Sequence, residues 1–342
     1  MKKLEYYQIL SFTMAEIFKL TLDSEKEILT KTVACLKNSG IAIIPTDTVY
    51  GLVCDGENEK AKQGIYLIKG RDYSKPLIGF VRDIEKAKNV AIIPERFFPF
   101  ISNRWPGRHT FVFKSKVEIP FIVSKEKTIG LRIPDFDFVR NLCLHFSMIA
   151  STSANISQTK SAFRLHEINR TIIENVSIVV EGFNLSGKES AIWDMTEDIP
   201  KLIRGRILFV CSGNSCRSPM AQAITEKMIG NLRIEISSAG TDTSFLNRAS
   251  QETIEVLKEV GIDITHFVSS SITEQMLAFS DLIFVMEEKH KERILQLFPQ
   301  AYDKTFVLNV PDPAGGNIFH YREIRDIITD RIKNFVLTRI KK

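Results

Sequence analysis

The sequence predicts an α/β protein of two domains, and three observations lead there. At 342 residues the chain is longer than one hydrophobic core usually supports. Strand-length apolar runs such as 41–45 and 207–211 alternate with stretches of helical periodicity. From residue 206 onward strand and helix follow each other regularly, as they do in parallel α/β domains. The character changes at Gly205 without a Pro-rich or Ser-rich linker. The expected division is therefore an extension and first-strand entry at 1–21, a domain at 22–205 and a second at 206–342. Met14 is a candidate start, which makes 1–13 a short extension.

Ser24 precedes Ile28, Val33 and Leu36 at helical spacing, with Glu27 three residues on, so a helix over 24–37 is expected behind a capping box. Gly40 stops it, and the run from Ile41 reads as a buried strand leaving into a Thr-rich loop. Residues 61–68 read as helix, 77–81 and 110–113 as strands, and 94–102 as the helix between them. Short strands are expected at 129–133, 147–150 and 177–180, with a helix at 166–173. In the second domain helices are expected at 218–229, 249–260 and 321–337, and strands at 206–211, 233–237 and 281–286.

An apolar share of 44% with 25% charged residues excludes a disordered chain. The net charge of +5 comes from scattered basic residues, a weak pointer to nucleic acid. Five cysteines at irregular spacing form neither a disulfide framework nor, with histidine, a zinc pattern, which fits a reducing cytoplasm and gives no protein-ligated metal. No apolar run approaches the roughly 20 residues of a membrane span, so no membrane partner is expected.

The stretch 206–220 runs from a strand through a tight loop into a helix. Cys211 and Arg217 bracket that loop, and such a loop aims backbone N–H groups and a helix N-terminus at one point that suits a phosphate. In that field the Cys211 pKa is expected to fall, making a thiolate nucleophile. Arg217 has the planar fork to grip two phosphate oxygens, and Ser218 stands ready to donate to the thiolate. Ser212, Gly213, Ser215 and Cys216 complete the phosphate loop, with Gly213 expected to supply its turn and Asn214 to brace it. Asp312, before Pro313, is the candidate acid for the leaving group.

Residues 206–342 resemble the low-molecular-weight protein tyrosine phosphatase family. The matching segments, in order, are Val210-Cys-Ser-Gly-Asn-Ser-Cys-Arg-Ser-Pro219, Ser238-Ala-Gly-Thr241, Gly261-Ile-Asp263, Asp281-Leu-Ile-Phe-Val-Met286 and Asp312-Pro313. The resemblance implies a phosphotyrosine-phosphatase I-like domain with a parallel four-stranded sheet flanked by helices. It also implies a phosphocysteine intermediate on Cys211, no cofactor and a phosphorylated protein substrate. Ser215 and Pro313-Ala-Gly-Gly316 resemble the protein-arginine phosphatase form and favour phosphoarginine slightly over phosphotyrosine. Ala314, where both subgroups place an aromatic, leaves phosphotyrosine or another substrate open. Cys216 reads either as a partner for Cys211 under oxidation or as a small buried residue.

In the first domain no G-x-x-x-x-G-K-[ST] occurs, so any nucleotide phosphates need another cradle. Residues 22–205 resemble the threonylcarbamoyl-AMP synthase (YrdC-like) family through Pro45-Thr-Asp-Thr-Val-Tyr-Gly-Leu52, Ile65-Tyr-Leu-Ile-Lys-Gly-Arg71, Lys75-Pro-Leu77, Trp105-Pro-Gly107, Leu131-Arg-Ile-Pro134, Ser151-Thr-Ser-Ala-Asn155 and Ser190-Ala-Ile-Trp-Asp194. The resemblance implies a twisted mixed-sheet α/β domain that makes threonylcarbamoyl-adenylate from L-threonine, bicarbonate and ATP with Mg²⁺, releasing pyrophosphate. Its partners would be the tRNA-modification machinery and tRNA, with double-stranded RNA binding. By match, Lys69, Arg71, Lys75, Thr128, Ser153, Asn155, Ser161 and Arg204 hold ATP, and Thr48, Arg132, Ser151 and Ser190 hold threonine. Phe80 replaces a His of many members, Arg108-His109 replaces Pro-Leu, and Gln158 replaces Gly. The whole chain then reads as a bifunctional enzyme; the alternative is a phosphatase whose first domain is a non-catalytic nucleotide or RNA-binding module.

Overall fold

The computed structural model describes residues 15–183, 185–243 and 248–341. The reading of Met14 as a start lies outside them. The chain forms two compact units, 1–198 and 199–342.

In the first unit a mixed sheet is built from β1 (Glu16–Lys19), β2 (Ala42–Ile44), β3 (Gly51–Asp55), β4 (Ile78–Phe80), β5 (Ala91–Ile92), β6 (His109–Ser115), β7 (Thr128–Arg132), β8 (Ile149–Ser153), β9 (Ile178–Glu181) and β10 (Ala191–Asp194). Its order is β1-β9-β2-β3-β8-β4-β7-β6-β10, with β5 beside β6. Parallel pairs such as β1 with β9 alternate with antiparallel ones such as β3 with β8. Helices α1 (Glu25–Lys37), α2 (Glu59–Lys69), α3 (Ile84–Val90), α4 (Phe98–Ser102), α5 (Asp137–Leu142) and α6 (Arg170–Ile173) accompany it. One core cluster joins Ile28 and Leu36 of α1 to Ala42, Val53, Ile149 and Val180 of the sheet and Phe138 and Leu142 of α5. The β-branched and aliphatic side chains of β2, β3, β8 and β9 are buried, as central strands require.

The second unit holds a four-stranded sheet of β11 (Lys201–Cys211), β12 (Ile234–Gly240), β13 (Leu282–Val285) and β14 (Thr305–Val307). Every pair in the order β12-β11-β13-β14 is parallel. Its helices are α7 (Arg217–Ile229), α8 (Gln251–Lys258), α9 (Glu274–Phe279), α10 (Glu288–Leu297) and α11 (Ile318–Arg331). Leu208, Val210, Ile283 and Val285 pack with Leu277 of α9 and Ile294 of α10. No helix among the described residues is long and apolar enough to cross a membrane.

Several expectations need correction. Gly205 is not at an element boundary, because β11 starts at Lys201 and runs through it. Ser24 makes no side-chain cap on α1; its hydroxyl instead accepts from Thr21 N and donates to the Lys19 carbonyl, and Glu27 pairs with Lys31. The 94–102 and 166–173 segments break into short 3-10 and α pieces. Strands β3, β5, β10 and β14 and helices α3, α5, α9 and α10 are additional to the elements expected from the sequence. The helices are short, and α10 carries only two buried side chains, too few for a strong periodic signal.

Candidate functional site

The parallel sheet of the second unit delivers Cys211 at the end of β11, and α7 begins at Arg217. The backbone between them wraps the sulfur. Asn214 N–H donates to Cys211 Sγ at 3.3 Å, and Ser218 Oγ lies 3.0 Å from it. The residue in the left-handed region is Asn214, with φ of 52°, rather than Gly213. Asparagine tolerates that conformation because its side chain can bond locally. Here Asn214 Nδ2 donates to Ser218 Oγ and to Ser238 Oγ, each at 2.9 Å, while Oδ1 accepts from Ser270 N at 2.8 Å. The loop packs so tightly on β12 that a Cβ at Gly240 would stand 2.5 Å from the Ser212 carbonyl oxygen.

Arg217 is buried, and its terminal nitrogens reach Glu287, Asp312 and the Val310 carbonyl. The Asp312 carboxylate thus joins the loop from 95 residues away, and its Oδ1 also accepts from Ala314 N at 3.2 Å. Ser215 Oγ lies 3.5 Å from Cys216 Sγ, and Cys216 also contacts Ser250 and Tyr321. All five cysteines are free.

The expected fall in the Cys211 pKa is not what this setting gives. Burial is the largest influence and raises it; Ser218, the Arg217 charge and the Asn214 N–H pull the other way without prevailing. The physical reason is that the sulfur is almost wholly enclosed, so the cost of burying a thiolate outweighs the donors and the guanidinium around it.

Glu287 and His290 were not singled out by the sequence reading. Burial opposes ionisation of Glu287, but Arg217 and Lys289 still hold its carboxyl below the ordinary range. His290 Nδ1 accepts from Glu287 N at 3.1 Å, which leaves Nε2–H to donate to Ser212 Oγ at 2.9 Å. Burial, then the nearby Arg217 charge, lowers the His290 pKa to about 4, so the ring is neutral where an ordinary histidine titrates. The available signal was positional: Glu287 directly follows the Asp281–Met286 segment, and His290 falls three residues later at the opening of α10. His290→Ala orphans the Glu287 N–H and is expected to destabilise the second unit by about 1–3 kcal/mol. Urea denaturation checks this.

In the first unit α2 ends at Lys69, and Gly70 takes φ of 58°, a left-handed cap that turns the chain so that Arg71 N bonds back to the Tyr66 carbonyl at 2.9 Å. Lys69 is 2% exposed. Its Nζ donates to the Ser153 carbonyl, to the Asn155 carbonyl at 2.6 Å and to Asn155 Oδ1 at 3.2 Å. Burial, reinforced by the Arg71 charge and opposed by Glu189, lowers its pKa to about 7. Ser153 Oγ donates to Asn155 Oδ1 at 2.5 Å, and Asn155 Nδ2 closes the loop onto the Thr159 carbonyl at 2.6 Å. Arg71 Nε and Nη2 donate to the Lys75 and Pro76 carbonyls at 3.0 and 2.9 Å.

A second group forms around Arg132, which donates to Thr48 Oγ1 at 3.0 Å, Asp47 Oδ1 at 2.6 Å and the Gly107 carbonyl at 3.0 Å. Asp47 lies inside the Pro45–Leu52 segment but was assigned no role. Phe80 is buried, with the Arg132 guanidinium 5.8 Å from its ring centre. Ser151 is buried on β8, and Ser190 Oγ lies 3.3 Å from Thr110 Oγ1. Ser161 donates to Glu189, and the Thr128 hydroxyl meets Ser124 at 2.8 Å. The structure therefore brings together Lys69, Ser153 and Asn155, and separately Thr48 and Arg132. Lys75 is exposed, and Arg204 lies on β11 in the other unit. Among the described residues no three or more His, Cys, Asp or Glu side chains are grouped to hold a metal ion.

Comparison with known proteins accounts for both units. A threonylcarbamoyl-AMP synthase of Psychromonas ingrahamii is 31% identical over 145 residues, covering 41% of this chain and 76% of its own. A protein-arginine-phosphatase of Geobacillus stearothermophilus is 40% identical over 131 residues, covering 35% and 86%. The crystal structure of Escherichia coli YciO aligns with a TM-score of 0.51 at 24% identity over 56% of this chain and 95% of that one, which concerns the fold alone. Residues 34–205 match the Sua5, YciO and YrdC family, described as telomere recombination, and residues 206–342 match the low molecular weight phosphotyrosine protein phosphatase family. The chain belongs to both families, a Sua5/YciO/YrdC domain followed by a low molecular weight phosphatase domain.

Proposed function

We propose that this chain is a bifunctional enzyme: an ATP-dependent threonylcarbamoyl-AMP synthase acting for tRNA modification in the cytoplasm, joined to a cysteine-dependent protein phosphatase. The observation that carries the first activity is the seating of buried Lys69 against Ser153 and Asn155 beside Arg71. Cations gathered at one strand and helix end suit a reaction in which pyrophosphate leaves as an anion. Lys69, Arg71 and Lys75 would hold the triphosphate, with Thr128 and Ser161 in support; Thr48, Arg132, Ser151 and Ser190 would hold threonine. The test is pyrophosphate release from ATP by the purified chain. It is expected only when threonine and bicarbonate are both present. ATP binding without such turnover would leave the first unit a nucleotide-binding module instead.

For the second activity, Cys211 attacks phosphorus, Arg217 turns its fork to the phosphoryl oxygens, and Asp312 protonates the leaving group before serving as base for water. The seating of Cys211 and Arg217 at the two ends of one loop, with Asp312 paired to Arg217, supports these roles. Ser215, buried beside Cys216, would offer a small hydroxyl to a guanidinium, and the similarity to a protein-arginine-phosphatase agrees with that preference. Ser215→Ile is expected to shift the ratio of phosphoarginine to phosphotyrosine kcat/KM toward phosphotyrosine by roughly 10-fold or more, the scale of one pocket contact. An unchanged ratio sinks the assignment of substrate class to Ser215.

A further inference from the structure

Beside the cations of the first unit stands an aromatic surface that neither the synthase reading nor the fold requires. Tyr73, in the loop between Arg71 and Lys75, is 55% exposed. Its ring lies flat on Tyr66, with centres 4.8 Å apart and planes 7° from parallel. Phe121 leans on both rings, at 5.4 Å from Tyr66 and 6.0 Å from Tyr73. One face of Tyr73 is thus packed, while more than half of the residue remains open to solvent.

The loop is held in place from several directions. Tyr66 Oη donates to the Lys75 carbonyl at 2.7 Å, the same oxygen that Arg71 Nε reaches. Ser74 N donates to Asp72 Oδ1 at 2.9 Å, and Lys75 N to the Asp72 carbonyl at 3.1 Å. The Arg71 guanidinium and the Tyr66 hydroxyl thus meet at one carbonyl oxygen, and Tyr66 is the ring on which Tyr73 is stacked. Phe121, a bulky residue, sits at φ of 70°, and there its carbonyl accepts from Leu77 N at 2.7 Å. A non-glycine residue in that region persists only where its surroundings over-determine it, and such positions gather at ligand sites.

We propose that the open face of Tyr73 is a stacking platform for a nucleobase whose phosphate is held by Arg71 and Lys75. A flat, pre-ordered ring near the anchored Arg71 guanidinium and exposed Lys75 matches the two halves of a nucleotide: a π face for the base and positive charge for the phosphate. A peptide or acyl group would gain little from a single flat ring. The inference rests on the reading of this unit as a nucleotide enzyme. The base belongs either to ATP or to a single-stranded RNA nucleotide, and the chemistry on the protein side is the same.

The experiment uses the full chain with Tyr73→Trp, Tyr73→Ala and Tyr73→Phe. ATP, inorganic triphosphate and an adenine-rich oligoribonucleotide serve as probes. Calorimetry gives affinities, and the emission of the new indole, after subtraction of the wild-type signal, reports stacking. Tyr73→Trp fluorescence is expected to be quenched by ATP or by the oligoribonucleotide but not by inorganic triphosphate, and which of the two quenches identifies the source of the base. Tyr73→Ala is expected to weaken the same ligand by about 5- to 100-fold, with Tyr73→Phe retaining wild-type affinity. Wild-type binding with no quenching and no loss in Tyr73→Ala overturns this inference alone. Failure of the wild type to bind ATP or the oligoribonucleotide overturns both it and the nucleotide reading.

Discussion

Cys211→Ala is expected to lower phosphatase kcat by on the order of 10⁵ or more, the scale seen when a nucleophile is deleted from a site whose residues act as a unit. The rest of the cradle does not depend on the sulfur. Arg217 is anchored by Val310, Glu287 and Asp312, and Asn214 by Ser238 and Ser270. Binding of inorganic phosphate by Cys211→Ala is therefore expected to stay within about 10-fold of wild type, which calorimetry measures. A parallel collapse of binding would mean that the substitution unfolds the loop rather than removing the attacking atom. Because burial raises the Cys211 pKa, kcat/KM is also expected to climb with pH as the thiolate forms.

Lys69→Met is expected to reduce threonine-dependent pyrophosphate release by roughly 10²–10³-fold, the loss that follows removal of one preorganised electrostatic contact to a reacting centre. The same variant reads out a proton linkage. With a folded pKa of about 7 against an ordinary value of 10.5, the folded state has released its proton while the unfolded chain still holds one throughout that interval. Unfolding then takes up a proton, so the stability of the first unit rises as pH increases through this window. Each pH unit contributes about 1.4 kcal/mol at most. Between about pH 7 and pH 9 the wild type is expected to gain about 1–3 kcal/mol relative to Lys69→Met, read from denaturant midpoints of the first unit. Equal pH slopes would show that Lys69 keeps its proton when folded.

The strands that carry the sites were legible because their side chains are apolar throughout: 207–211 and 41–45 announce themselves as buried. Legible too was the Cys211–Arg217 loop, whose residue types only make sense together. The turn inside it was not, for glycine is the usual left-handed residue and Asn214 takes that place through bonds to Ser238 and Ser270, 24 and 56 residues away. Asp47 went unassigned because its role depends on Arg132, 85 residues on. The direction of the Cys211 shift was not legible because the sequence displays Arg217 beside the cysteine, but not the depth at which the fold buries the sulfur. Pairings across strands decide electrostatics, and spacing along the chain does not record them.

The distance in sequence between Arg217 and Asp312 has a consequence for the order of events during synthesis. As the ribosome extends the chain, the phosphate loop emerges first, with Arg217 lacking the carboxylates of Glu287 and Asp312 and Cys216 lacking Tyr321, 105 residues on. Such non-local pairings form last. A chain cut short before residue 312 therefore carries Cys211 and Arg217 without the Asp312 carboxylate that pairs with the guanidinium.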